Sequence, residues 1–441
     1  MVAATAAAQP DSRGPEFQVN TYTPDSQFQP RVASLGPTFS VVWSSYYQDG
    51  SEVGIFSRRY DAAGIALGGE FPVNLHTVES QLSPAIAASA SGFVVAWQSY
   101  QQDGSAFGVF GRSFNAAGNA IGVEFQINTY TPGTQENPAV AMDSTGFVVV
   151  WQGGGANYAI FGRRWDAMGS PIGGSFLIST YPTSNQVNPD VALDGAGNFV
   201  VVWTGAQDGD QMGVFGRRFD AGGNPLAVEF QVNLHTTGGQ LNPQVARSGS
   251  GFVVVWDAND QDDRGIFGRR FNSDGTPASG ELQINTFYLS TQQRTTVEMA
   301  TNGAFVVAWN SNQQDGYGTG VAARHFDSSG SPTSVDFVVN SFAEYSQDSP
   351  DVAIGGSRFV VVWESNLQDR SFEGVFAQRL RTADFTLDVD GNGSITPLTD
   401  TLLLLRYAFG FRGAVLINDA VGAGCTRCTA PAIEEYLAGE L

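Results

Sequence analysis

The chain has 441 residues, a formal net charge of −21 and no Lys, its 22 strongly basic residues all being Arg. An acidic balance of that strength repels phosphate backbones and excludes nucleic acid as a partner. Only 15% of residues are charged and 53 are Gly, a turn-rich all-β profile rather than a helical one, and no run of 18 apolar residues is present to span a membrane.

Residues 1–14 have neither a basic segment nor an apolar one and read as a flexible leader remnant, the stub of a processed signal peptide. From residue 15 the chain repeats. Phe-Gln-Val-Asn begins at Phe17, and variants recur at Phe71, Phe125, Phe176, Phe230, Leu282 and Phe337. A Trp closes an apolar run at Trp43, Trp97, Trp151, Trp203, Trp256, Trp309 and Trp363, which uses seven of the eight tryptophans. Each repeat holds four strand-sized pieces; in the fourth they are Pro189–Leu193, Phe199–Trp203, Gly213–Phe219 and Glu229–Asn233. The second piece, Phe-Val-Val-Val-Trp, is apolar on both faces and needs cover on both sides. Four strands per unit of about 50 residues is propeller geometry. Residues 15–382 are therefore expected to form an all-β, seven-bladed β-propeller. The last repeat lacks its fourth strand, and the unpaired copy Glu16–Asn20 is expected to complete the seventh blade.

Two features recur in the connections between blades. A Gln stands at Gln27, Gln81, Gln135, Gln186, Gln240, Gln292 and Gln347, and an aromatic or His at Tyr22, His76, Tyr130, Tyr181, His235, Phe287 and Phe342. One reading is seven shallow sugar pockets, each with a ring for a sugar face and an amide for its hydroxyls. The other is that the Gln satisfies loop backbone groups and the ring plugs the junction. A Gln-Asp-Gly variant follows the Trp at Asp49, Asp103, Asp208, Asp262, Asp315 and Asp369, with Gly153–Gly155 in the third repeat; turn chemistry accounts for it. The acidic stretch Asp257–Asp263 reads as a solvated turn or a weak cation site. In Phe-Gly-Arg-Arg-Phe, Arg217 shares a face with Phe215 and Phe219 and is expected to pack on aromatics.

Catalysis needs one site, so it should break the repeat. The inner strand reads Val-Ala or Ile-Ala in six repeats and Val297-Glu298 in the sixth, where His325 also replaces an Arg. Glu298, Arg294 and His325 are the candidates for a unique site, against drift with Glu298 wetted in a central channel. No second carboxylate is evidently paired with Glu298, and no nucleophile motif or His cluster appears.

After Leu380 the pattern changes. Asp388, Asp390, Asn392, Ser394 (through its carbonyl) and Thr396 match the first nine positions of an EF-hand loop, with Gly393 at the sharp turn. Hard oxygens at this spacing suit Ca²⁺. Position twelve is Thr399, and Asp400 follows, able to serve if Pro397 marks an insertion. Leu402–Tyr407 and Ala430–Leu437 read as helices. Residues 383–441 resemble a type I dockerin or related bacterial EF-hand module, and the propeller repeats resemble those of large exported bacterial proteins with adhesive or sugar-binding roles. The first resemblance implies a cohesin-like or self-assembly partner, although the second calcium loop is not recognisable. Cys425 and Cys428 are expected to form a disulfide staple in its place; a redox pair or half a zinc site are the other readings.

The function expected is a secreted, extracellular or cell-surface bacterial module that uses Ca²⁺ and binds a glycan or an extracellular protein. A polysaccharide-acting enzyme and a structural subunit of an extracellular assembly are the alternatives.

Overall fold

The computed structural model describes residues 14–155, 157–181, 183–259, 263–356, 358–381, 389, 397–422 and 425–440. Residues 1–13 of the leader remnant, Asp262 and the loop residues Asp388, Asp390, Asn392, Ser394 and Thr396 lie outside them.

Phe17–Arg381 form seven four-stranded antiparallel sheets in a ring. In blade 4 the order is Gln186–Leu193, Phe199–Gly205, Gly213–Phe219 and Phe230–Gln231, from the axis outward. The second strands are the apolar runs, and their residues feed a core cluster between each pair of blades. Between blades 3 and 4, Val148, Val150 and Ile160 pack on Val201, Trp203 and Phe215. All seven repeat tryptophans are at most 2% exposed. This is the two-sided cover that Phe-Val-Val-Val-Trp requires.

Ring closure is as the repeat predicts. Phe17–Gln18 pairs with Glu373–Arg381 as the outer strand of blade 7. Val19 adds a backbone bond to Val375 at 2.8 Å, and the Val375 N–H donates to Asn20 at 2.8 Å.

Arginine clasps join successive blades. The first Arg of the pair lies over the aromatic two residues on, as Arg217 does over Phe219 at 5.5 Å, and its Nη1 donates to Ile178 in the preceding blade at 2.8 Å. The second Arg reaches carbonyls in the following blade's turn between third and fourth strands: Arg59 to Ala117, Arg164 to Gly222, Arg270 to Ser329 and Arg379 to Ala62. Blade 7 has no such turn, because its fourth strand comes from the other end of the chain. Blade 6 therefore has no turn carbonyl to clasp, and His325 stands where five other blades have Arg, blade 2 having Ser113.

Beyond the ring, α1 (Leu402–Ala408), α2 (Ala414–Ile417) and α3 (Ala430–Glu440) gather Leu403, Leu416, Ile433 and Leu437 around Val389 in a small core of their own. Cys425 and Cys428 are disulfide-bonded.

Candidate functional site

The inner strands converge on a central cavity of about 640 Å³. Each inner strand bulges at its third residue, which takes a left-handed φ: Gln29 (53°), Ser83 (52°), Asn137 (50°), Asn188 (52°), Asn242 (52°), Arg294 (53°) and Ser349 (55°). Such a residue costs on the order of 1–3 kcal/mol unless its surroundings hold it. In blades 3, 4 and 1 the side chain just after the preceding blade's Trp does so, and in blade 2 Gln29 accepts the Ser83 N–H at 3.1 Å. Gln98 accepts the Asn137 N–H at 2.9 Å, Gln152 that of Asn188 at 2.8 Å, and Glu364 that of Gln29 at 2.7 Å. The bulges thus lock neighbouring blades and place a ring of polar side chains at the cavity mouth.

Below this ring the symmetry breaks. At the fifth inner-strand position blades 2 and 3 carry Ala85 and Ala139, while blades 1, 4 and 7 carry Arg31, Asp190 and Asp351. Asp190 accepts the Val245 N–H at 2.7 Å. Asp351 accepts the Val32 N–H at 2.8 Å and the Thr296 hydroxyl at 3.0 Å. Glu298 stands two residues further along, where the other inner strands carry Ala. Burial, with the Asp351 and Asp190 charges adding, pushes its carboxyl up to about 8. Burial likewise pushes Asp190 up to about 7, and raises Asp351 although Arg31 opposes the rise. The cavity therefore holds carboxyl groups that keep protons near neutrality and can donate a hydrogen bond or a proton. Among the described residues no three His, Cys, Asp or Glu side chains are grouped to hold a metal ion.

Of the three candidates for a unique site, Glu298 and Arg294 line this cavity. Arg294 donates to the Ser349 hydroxyl at 3.0 Å, and Ser349 to Glu364 at 3.1 Å. His325 does not join them. Val306 pairs with Glu298 on one side and with His325 on the other. The imidazole is 4% exposed, packs edge-on against Phe359 at 4.7 Å, and is held neutral by burial with its pKa near 4. Asp190, Asp351, Arg31 and Glu364 escaped the sequence reading. The signal was available: for Arg31, Asp190 and Asp351 a charge at a position occupied by Ala in blades 2 and 3, and for Glu364 an acid after the Trp where blades 2 and 3 have Gln98 and Gln152.

The interblade Gln residues are buried. In blade 5, Gln240 Nε2 donates to Thr237 and Gly238 at 3.1 and 2.8 Å, while its Oε1 accepts from Asn233 at 3.1 Å. Gln27, Gln81 and Gln292 make the same bonds, Gln347 and Gln135 each bond one loop carbonyl (Glu344 and Pro132) and an Asn (Asn340 and Asn128), and Gln186 bonds Ser184 and the Trp203 indole. These amides are committed to the fold. The rings beside them are not sealed in: Tyr130, Tyr181 and His235 are exposed, and Tyr22, His76, Phe287 and Phe342 are half-buried.

These connections share one face of the ring with the hairpins after each Trp, because the start of every inner strand pairs with the end of the second. Tyr46, Tyr47, Tyr317, Tyr345 and Phe372 stand exposed there in blades 6, 7 and 1. Phe28, which lines the cavity, stacks on Tyr46 at 5.3 Å, and Tyr46 adjoins Tyr47 at 5.7 Å. Asp348 and Glu364 occupy the same sector, both raised by burial. The face thus offers aromatic surfaces beside carboxyl, amide and guanidinium groups at a cavity mouth.

No protein-family model matches the chain, and no curated protein matches it. Solved structures do. A protein of unknown function from Dyadobacter fermentans DSM 18053 is 10% identical with a TM-score of 0.52, over 86% of this chain and 100% of that one. An ulvan lyase of polysaccharide lyase family PL25 is 10% identical with a TM-score of 0.50, over 83% of this chain and 96% of its own. An ulvan lyase structure with -[GlcA(1-4)Rha3S]- bound aligns to the same extent. At this identity the likeness establishes the propeller architecture, a ring of blades around a central cavity, as what this chain shares with them.

Proposed function

We propose that this propeller binds carbohydrate across the face where the cavity opens. The observation that carries the reading is the exposed aromatic sector, Tyr46, Tyr47, Tyr317, Tyr345 and Phe372, set beside Arg294, Asp348 and Glu364. Aromatic faces take the C–H faces of sugars, and neighbouring polar groups take the hydroxyls. The ulvan lyases of the same fold are named for action on a polysaccharide, which fits this class of ligand. Glycan-array binding by the intact protein, followed by titration of the best polymer, tests the reading. Tyr46→Ala with Tyr317→Ala is expected to weaken binding about tenfold or more while leaving the melting temperature within a few degrees, since Tyr317 is largely solvent-facing and Tyr46 is more than a third exposed. Undiminished binding would remove this face as the site.

An enzymatic reading has one specific observation in its favour. Glu298 is a carboxyl group in a cavity that keeps its proton at neutral pH, as a general acid must. Turnover of a polysaccharide that disappears in Glu298→Gln would establish it. The binding reading remains first, because it rests on a sector of exposed rings beside polar groups, whereas the enzymatic one rests on the raised carboxyl of Glu298.

We further propose that the protein acts outside the cell and that residues 383–441 hold one Ca²⁺ and attach to a cohesin-like partner or a second copy. The loop ligands lie outside the described residues, but Asp400 is buried and accepts the Val389 N–H at 2.6 Å, bringing the acid after Thr399 back to the start of the loop. This supports Asp400 as the closing ligand. Calcium titration by calorimetry is expected to show one site, lost in Asp390→Ala and Asp400→Ala and retained in Thr399→Ala. The reverse pattern at 399 and 400 would reassign the ligand.

A further inference from the structure

Blade 3 departs from its neighbours at several linked positions. In blades 1, 2, 4 and 7 the hairpin after the Trp supplies a Gln and an Asp that cover the outer end of the blade. Gln48, Gln102 and Gln207 donate to Glu70, Glu124 and Glu229 on the outer strand, at 2.7, 2.7 and 3.0 Å. Asp103 accepts from Asn128 at 3.1 Å and from Gln126 at 3.4 Å, and Asp369 accepts from Gln18 at 2.9 Å. The Asp carboxylate sits over a third-strand glycine and close to the following Phe: a Cβ on Gly54, Gly108 or Gly374 would fall 2.4–2.7 Å from the oxygen.

In blade 3 the segment from Trp to the third-strand Phe is three residues shorter than in blades 1, 2 and 7, and it reads Gly153-Gly154-Gly155. The Asp and Gln are gone, and their partners change with them. Ser175 replaces the outer-strand acid, Leu177 the Gln, Ser179 the Asn, and Ala159 the glycine. The exchanges do more than lose contacts. Leu177 and Ala159 are added apolar groups, and Leu177 is left 50% exposed.

The result is a cavity of about 360 Å³, walled by Tyr130, Trp151, Phe161 and Leu177, with Thr129, Gln135, Gly154 and Ser175 around it. Trp151 and Phe161 stack at 6.3 Å with their planes 20° apart. Tyr130 is 60% exposed. Thr129 donates to the Ser175 hydroxyl at 2.9 Å, putting a hydroxyl pair where blades 1, 2 and 4 have a carboxylate. No lining residue carries a charge, on a protein whose net charge is −21.

We propose that this blade-3 pocket is a subsite for one uncharged pyranose ring of a glycan. The inference rests on the carbohydrate reading above and extends it to a separate place on the same face. The volume is at the small end of ligand pockets, which run from roughly 300 to 1,000 Å³, and suits a single ring rather than a chain. Aromatic walls match the C–H face of a pyranose, the hydroxyl pair and the Gly154 backbone meet its edge, and the lack of any charged lining group disfavours a uronate or sulfated ring, whose desolvation nothing here would offset.

The test is saturation-transfer NMR on the full chain with methyl glycosides of glucose, galactose, mannose and xylose, and with glucuronate as the charged counterpart. At least one neutral glycoside is expected to show transfer, and glucuronate none. Leu177→Trp fills the pocket and Tyr130→Ala removes its platform. Both positions face solvent, so each variant should melt as the parent does, and each should cut the transfer at least tenfold. No transfer from any neutral glycoside, transfer from glucuronate alone, or equal transfer in both variants would overturn the subsite. The two readings separate cleanly. Polymer binding that is lost in the Tyr46→Ala, Tyr317→Ala protein but unchanged in Leu177→Trp spares the aromatic face and removes the pocket. Neutral-glycoside transfer lost in Leu177→Trp alone supports the pocket even if the aromatic face fails.

Discussion

Removing residues 1–20 is expected to unfold the ring or to lower its melting temperature by 20 °C or more. The truncation takes away a whole outer strand. Val19 is fully buried in the core between blades 7 and 1, worth about 2 kcal/mol. Asn20 accepts from Val375 and donates to Tyr22 and Gln27. Glu16 accepts from Ser341 and from Gln368. At about 1 kcal/mol for each bond, and more for buried partners left unsatisfied, the loss is roughly 8 kcal/mol. That is comparable to the whole stability of many domains. It also exposes the third strand of blade 7 as an open edge, so aggregation should accompany melting. Calorimetry with light scattering checks both. A truncated protein that melts like the parent would mean the closure contributes nothing.

Glu298→Ala should stabilise the protein above neutral pH and do little near pH 5. The unfolded carboxyl has the usual value near 4.5, while the folded one is raised to about 8. The folded state therefore binds the extra proton between those values. Stability from this group is complete below pH 4.5 and falls as pH rises through 8. Asp190, raised to about 7 by burial, adds a decline in the same direction. Because the cavity is open at its mouth, the Glu298 contribution is on the order of 2 kcal/mol rather than the full value of the shift. Ala is already the residue at this position in the other blades, so the substitution fits the backbone. A melting temperature a few degrees above the parent at pH 8.5, converging with it at pH 5, is the expected curve. A constant offset at both pH values would show that packing rather than ionisation separates the two proteins.

The same two regions show how far the chain can be read without its structure. Blade number, strand order and closure were legible because a propeller repeats one unit: a Trp-ended apolar run every 50-odd residues needs cover on both faces, and stacked blades supply it. The roles within the repeat were only half legible. Gln240 and Asn233 lie seven residues apart in sequence, yet only the fold shows them bonded to each other and to the loop backbone, which takes the amide away from any ligand. His325 appeared as a broken Arg. The turn that an Arg there would clasp is missing from blade 7, because the N-terminal strand at the opposite end of the chain supplies that blade's fourth strand.

The cavity and the blade-3 pocket needed the tertiary structure. Arg31, Asp190, Glu298 and Asp351 are spread over more than 300 residues, and their proximity comes from the ring bringing blades 1, 4, 6 and 7 to one axis. Leu177 and Ser175 look like ordinary variation until the missing Asp hairpin is seen beside them. What the sequence determined by itself was the repeating unit and the number of its copies, because local strand pattern and two-sided burial follow directly from residue type. What only the tertiary structure decided was which symmetry-breaking residues meet, because that depends on closing a ring over distances no local pattern encodes.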